Sequence, residues 1–146
     1  DAPYMPPAPK GPARVQPYRE TLQWSRRSVG PAVFALLASR GWDSLAASLD
    51  ARCALAERLR DRLRAHGWHT LGDTALPVVC FTHPRLRQGS VPTRTVAARL
   101  RAEGVAWVSP TRAAGRIPAL RACVVRDDTT RDHLDALVDA LVEAVR

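Results

Sequence analysis

The chain has 146 residues, 46% of them apolar, the usual size for one domain with a core of its own. No run approaches the roughly 20 apolar residues of a membrane span, and no signal-peptide pattern opens the sequence. Twenty-two basic residues against 14 acidic ones give a net charge of +8, but the arginines are spread over every segment, which disfavours a nucleic-acid interface and leaves a missing acidic partner chain or domain as an explanation.

Lys10 is the only lysine, so the basic excess is an arginine excess, as a GC-rich genome also produces. Cys53, Cys80 and Cys123 are odd in number and unpaired in spacing. That argues against disulfides or zinc and predicts buried thiols in a reducing cytoplasm. The first residue is Asp, as expected of a processed piece, a trimmed chain or one half of a longer protein.

Residues 1–17 hold six prolines around Tyr4, Met5 and Lys10, a density that blocks helix and central strand alike and predicts a mobile arm. A helix is expected from about Ser28, with Pro31 in its first turn and Gly41 at its end. A second, capped by Asp43 or Ser44, carries Leu45, Leu49, Cys53, Ala56, Leu59 and Leu63 as one buried stripe, with the arginines at 52, 58, 60, 62 and 64 as a solvated face and Gly67 as its stop. Leu76–Phe81 predicts a buried strand, with Pro77 tolerable near its start. A polar loop over 83–90 leads to a helix from Thr93, with Val96, Ala97 and Leu100 inward and Gly104 closing it. Strands are expected over 105–108 and 117–125. Thr129 with Asp132 resembles a capping box, ahead of an amphipathic last helix through Leu134, Leu137, Val138, Leu141, Val142 and Val145.

This order predicts an α+β fold: a short, mainly antiparallel sheet of three strands covered by helices on one face. The generic chemical motifs are missing: there is no Gly-rich phosphate loop, no HExxH and no GxSxG. The four histidines lie in different elements and read as surface or capping residues. Asp127 and Asp128 read as carboxylates at a helix N-terminus before they read as metal ligands.

Three blocks carry a family resemblance. Leu22-Gln23-Trp24-Ser25-Arg26-Arg27, followed by an apolar helix and Gly41, resembles the segment that opens the small domain of group II pyridoxal-phosphate-dependent amino-acid decarboxylases, the aromatic-L-amino-acid/glutamate decarboxylase family. Leu76 to Phe81 resembles the family's Leu-x-x-Val-Cys-Phe strand. Leu120-Arg121-Ala122-Cys123, a polar turn with Thr129-Thr130 and a long helix resemble its closing strand and helix. The blocks occur in the family's order and spacing, with one departure at Pro31-Ala32, where many members carry Leu-Lys.

The resemblance implies the small C-terminal domain of the fold-type I, aminotransferase-like superfamily. The implied organisation is an arm over 1–17 that is a catalytic-loop remnant, a linker and helix over 18–42 joining large and small domains, and the small domain over 43–146. Tyr4 stands upstream of Arg26-Arg27 at nearly the family spacing of the loop tyrosine that protonates the substrate α carbon after carbon dioxide leaves, and Tyr18-Arg19 matches a further pair in that stretch. Ser25 corresponds to a position lining the substrate pocket. Arg26 and Arg27 correspond to an interface or pocket pair. The family holds pyridoxal 5'-phosphate on a lysine directly after a histidine; Lys10 has no such neighbour, so the resemblance places that lysine outside this chain and assigns no cofactor ligand and no metal ligand within it.

The implied activity is decarboxylation of an L-amino acid, an aromatic one by the Tyr4 match, to its amine. The implied partners are a large cofactor-binding domain or chain, a two-fold dimer of the complete enzyme and the amino-acid substrate, in the cytoplasm and with no membrane. The rival readings are an aldehyde-forming member of the same family, a basic nucleic-acid-binding module, and a non-catalytic remnant that regulates.

Overall fold

The computed structural model describes residues 29–146. The chain divides into two compact units, Asp1–Gly41 and Trp42–Arg146.

Helix α1, Gly30–Ala65, spans the boundary and is interrupted at Gly41, where φ 74° and ψ 166° lie in a region that is closed to residues with a Cβ. In the first unit, Val33, Phe34 and Leu36 on this helix are exposed. In the second unit, α1 buries Ala56, Leu59 and Leu63 and ends at Gly67. There the Trp68 amide donates to the Leu63 carbonyl and the Gly67 amide to that of Arg64, the paired bonds of a left-handed helix stop. Gly67, at φ 78°, takes the residue position that such a stop reserves for glycine. Leu63 and Trp68, the apolar pair that clamps this stop, are both buried.

The strands are β1 (His69–Leu71), β2 (Val78–Thr82), β3 (Ser109–Ala113) and β4 (Ile117–Cys123), joined in one antiparallel sheet of order β1-β2-β4-β3. Between β2 and β3 lie the short helix α2 (Pro84–Arg87) and α3 (Thr93–Ala102); α4 (Arg131–Ala144) follows β4. Gly104 stops α3 with the same bond pair, Gly104 to Arg101 and Val105 to Leu100.

One core unites Leu59 and Leu63 of α1, Val96 and Leu100 of α3 and Leu134, Leu137, Val138 and Leu141 of α4 with Val79, Phe81, Leu120 and Ala122 of the sheet. Strand pairing sets Phe81 opposite Leu120 and Val79 opposite Ala122, so alternate residues of β2 and β4 face the helices. Trp68 meets Phe81 edge-on, with ring centroids 5.5 Å apart, at the centre of that layer. The α+β class and the one-sided helical cover are as the sequence implies.

Several details differ. The sheet has four strands among the described residues: β1 is too short, at three residues, to leave a periodic pattern. Val105–Val108 is an extended connection, and β3 begins at Ser109, because Val105 and Val108 are drawn to the core as separate anchors. A single turn of helix, α2, occupies the expected polar loop. The strand at Leu76 starts at Val78, and Leu76 is exposed.

The capping box lies one residue further on than expected. The Thr130 hydroxyl accepts from the His133 amide, and His133 Nδ1 accepts from the Thr130 amide. Leu45 and Leu49 are exposed at 37% and 45%, so the buried stripe of α1 begins only at Ala56. The thiols are not buried: Cys53 and Cys80 are half-covered and Cys123 is exposed.

Of the arginines expected on a solvated face, Arg64 is exposed, but Arg60 is not. Arg60 is 5% exposed, and its guanidinium donates to the carbonyls of Thr74, Leu76 and Val78 at 3.0, 3.2 and 2.9 Å and pairs with Glu57 at 2.5 Å. It ties the β1–β2 connection to the helix. Arg58 and Arg62 grip Asp135 of α4 from both sides, at 2.9 and 3.0 Å.

Candidate functional site

The strand register sorts the sheet into a covered and an open face. Leu71, Cys80, Arg121 and Ser109 form one row across all four strands. Alternation places this row on the face opposite Phe81 and Leu120; that face is covered at Thr82 and Ala119, both fully buried, and open at Arg121 and Cys123. Arg121, exposed, stands between Cys80 of β2 and Ser109 of β3, and the neighbouring row pairs Val78 with exposed Cys123. Among the described residues Arg121 has no carboxylate partner. The open face therefore offers one free cation, two thiols and a half-covered apolar rim, suited to packing against another surface and to meeting an anion.

At one end of the second unit, Trp42, Leu45, Leu49 and Val125 are exposed at 71%, 37%, 45% and 61%. A polar clamp stands beside them: Ser48 donates to Asp127 at 2.6 Å, while Arg52 pairs with Asp127 at 2.8 Å and donates to the Val125 carbonyl at 3.2 Å. Asp127 is thus held by α1, and Asp128 by Arg126 at 2.5 Å, which draws its carboxyl below the ordinary carboxylate range. Both carboxylates have arginine partners, in keeping with a structural turn. Among the described residues no group of three or more His, Cys, Asp or Glu side chains gathers as a metal site.

His83 follows β2 and caps α2: its Nδ1 accepts from the Arg85 amide at 3.3 Å. The ring lies 5.0 Å from that of Trp68. Burial holds its pKa below 6.5, with the positive Arg85 and then His69 adding to the effect. With His133 in its capping box and the His66 ring on the Arg62 carbonyl, three of the four histidines serve helix ends, as expected.

The residues on which the sequence places the chemistry, Tyr4, Ser25, Arg26 and Arg27, lie outside the described residues, as does Lys10. Sequence reading missed Arg121 as the open face's cation; its signal was a lone charge inside the apolar strand 117–123.

The fold of the described residues recurs as one part of larger solved structures. Among solved structures, mouse CSAD in apo form superimposes with a TM-score of 0.69 at 18% identity, covering 88% of this chain and 30% of that one. The 4-hydroxyphenylacetaldehyde synthase of Rhodiola rosea gives 0.66 at 21% identity over 84% of this chain and 27% of that one. An Oryza sativa TDC with PLP and tryptamine gives 0.64 at 20% identity over 83% and 28%. The chain thus spans less than a third of the length of these structures. No family model matches the sequence, and no curated protein matches it.

The described residues cannot hold pyridoxal phosphate as a Schiff base. They contain no lysine, the chain's single one being Lys10. Neither α3, which follows Pro92, nor α4, which follows Thr130 with its hydroxyl already engaged by His133, opens on a glycine-rich turn that could cradle a phosphate. Among the described helices none is long and apolar enough to cross a membrane.

Proposed function

We propose that the chain supplies the small domain of a pyridoxal-phosphate-dependent L-amino-acid decarboxylase, acting with a large domain or chain that carries the cofactor and its lysine. One observation carries this reading: a likeness that takes in 88% of this chain yet only 30% of the solved relative, leaving the greater part of an enzyme to come from elsewhere. The open face with Arg121 and the net charge of +8 suit an acidic partner surface. Residues 1–17 are the catalytic-loop arm, 18–42 the joining segment and 43–146 the small domain. Tyr4 delivers a proton to the substrate's α carbon once carbon dioxide has left, Ser25 lines the pocket, and Arg26 and Arg27 face the partner. The complete enzyme is a two-fold, cytoplasmic dimer acting on an aromatic L-amino acid.

The test is purification from the natural source, with mass spectrometry of whatever accompanies the chain and assay of the complex for carbon dioxide and amine. A companion chain with a reducible cofactor adduct, and activity that drops at least a hundredfold in Tyr4→Phe, are expected on the scale of general acid catalysis. A solitary chain, together with no turnover on adding back the large domain of a relative, sinks the reading.

The likeness to an aldehyde synthase favours one second reading, in which dioxygen and water act on the decarboxylated substrate to give an aldehyde, ammonia and hydrogen peroxide. Product analysis separates the two, and retention of Tyr4 favours the amine.

A further inference from the structure

The second unit carries a cleft that neither the fold nor the proposed decarboxylation uses. Arg94, Ala97, Ala98 and Arg101 follow one another at steps of three, one and three on α3, so they form a single stripe along the helix. Seven residues separate the arginines, two turns or about 10.5 Å along the axis. The alanines between them leave a low floor with a guanidinium arm at either end. Trp107, Val108, Ser109 and Pro110, leading into β3, form the opposite wall, and the enclosed space is about 360 Å³. That is the size of the smaller pockets that take small molecules, roughly 300 Å³ and upward.

Three features point to an occupant. Trp107 is 78% exposed, although Val108 beside it is buried and Val105 and Ala106 pack against the core. The indole is therefore held out into solvent by an anchored backbone, a costly placement for a large, mostly apolar ring. The Arg101 guanidinium lies over one face of the ring, 5.9 Å from its centre. Finally, α3 contains no acidic residue, and neighbouring Glu103 is taken by Arg99 at 2.7 Å. Arg94 and Arg101 have no carboxylate partner among the described residues.

We propose that this cleft binds a planar heteroaromatic ring that bears a phosphate. The ring stacks on Trp107, and the phosphate is gripped from two sides by Arg94 and Arg101. A nucleotide and a pyridine vitamer phosphate share this chemistry. The site is separate from the proposed catalytic arm and does not rest on the decarboxylase reading.

The experiment is calorimetric titration of the full chain with AMP, pyridoxine 5'-phosphate, adenosine and inorganic phosphate. One of the two phosphorylated rings is expected to bind at one per chain, at least tenfold tighter than inorganic phosphate or adenosine, and the tighter of the two names the source. Arg94→Ala with Arg101→Ala is expected to weaken it about tenfold or more, and Trp107→Ala about fivefold or more. Arg112→Ala, exposed on β3 and outside the cleft, leaves binding unchanged. All the altered side chains are exposed, and circular dichroism confirms that the fold persists. Equal affinity for inorganic phosphate, affinity untouched by the cleft substitutions, or no saturable binding at about 1 mM of either ring, a dissociation constant already worth only about 4 kcal/mol, overturns the proposal.

Discussion

Replacing Arg60 tests the energetic reading of the fold most directly. Its guanidinium serves three carbonyls of the β1–β2 connection from a position 5% exposed, so truncation acts on packing and on hydrogen bonding at once. Arg60→Ala removes two buried methylenes beyond the β carbon, worth about 0.8 kcal/mol each. The exposed Leu76 and half-covered Thr74 carbonyls can turn to water, but that of Val78, on a strand, loses its charged donor, at about 1–3 kcal/mol. The expected loss is about 3–5 kcal/mol, a third or more of the stability of an ordinary small domain. Arg60→Met keeps the apolar stem and forfeits only the donors, for about 1–3 kcal/mol. Urea unfolding followed by circular dichroism measures both, provided the slope is unchanged. An alanine variant within about 1 kcal/mol of the parent would mean that water already solvates this turn and that Arg60 is only packed beside it.

The core indole gives a second comparison. Trp68→Ala is expected to cost about 3–5 kcal/mol, but Trp68→Phe only about 1–2, because the buried Nε1–H has no acceptor and its removal offsets part of the lost packing; equal costs in urea unfolding would contradict this. His83 has a folded pKa below its unfolded value of 6.5, so the folded chain binds fewer protons and its stability is complete above about pH 6.5 and lost as pH falls below it. His83→Asn, which keeps a capping acceptor without the titrating ring, is expected to flatten the urea midpoint between about pH 5 and 7. Asp135 has the same sign in a lower window: its hydrogen bond from Arg58, then the charges of Arg58 and Arg62, lower its pKa. Asp135→Asn is therefore expected to be less stable than the parent near neutrality, with the gap closing as pH falls through and below 3.8 and shrinking in high salt; a gap independent of both would show that the pair is not electrostatic.

The fold class was legible because the apolar residues of α3, α4 and β2 recur with the period of their element, and Gly67 and Gly104 mark helix stops that the backbone then uses. Two kinds of information were not legible. Short elements such as β1 and α2 offer too few residues for any period, and β1 exists because β2 is there to pair with it. The burial of charge was also hidden. Arg60 shares its helix with five other arginines, and only the return of the chain at Thr74 and Val78 makes it the internal one.

Leu45 and Leu49 expose the limit of the same reasoning. They continue the stripe of Ala56, Leu59 and Leu63 without a break in pattern, yet they are exposed while those three are buried. Periodicity records that a helix face is apolar; it does not say whose atoms cover it. Within the second unit the sheet and α4 reach only as far as Ala56, and beyond that point the apolar residues of α1 stand with Trp42 and Val125 beside the Ser48–Arg52–Asp127 clamp. Tyr4, Ser25, Arg26 and Arg27 lie at the other limit. Nothing in their periodicity or composition marks them, and their assignment comes from a resemblance of blocks and spacing alone. The fold supports that resemblance where strand 78–82, strand 117–123 and the last helix fall in order. The roles of the four residues remain proposals, and the Tyr4→Phe assay in a complex with the proposed large domain is where they are decided.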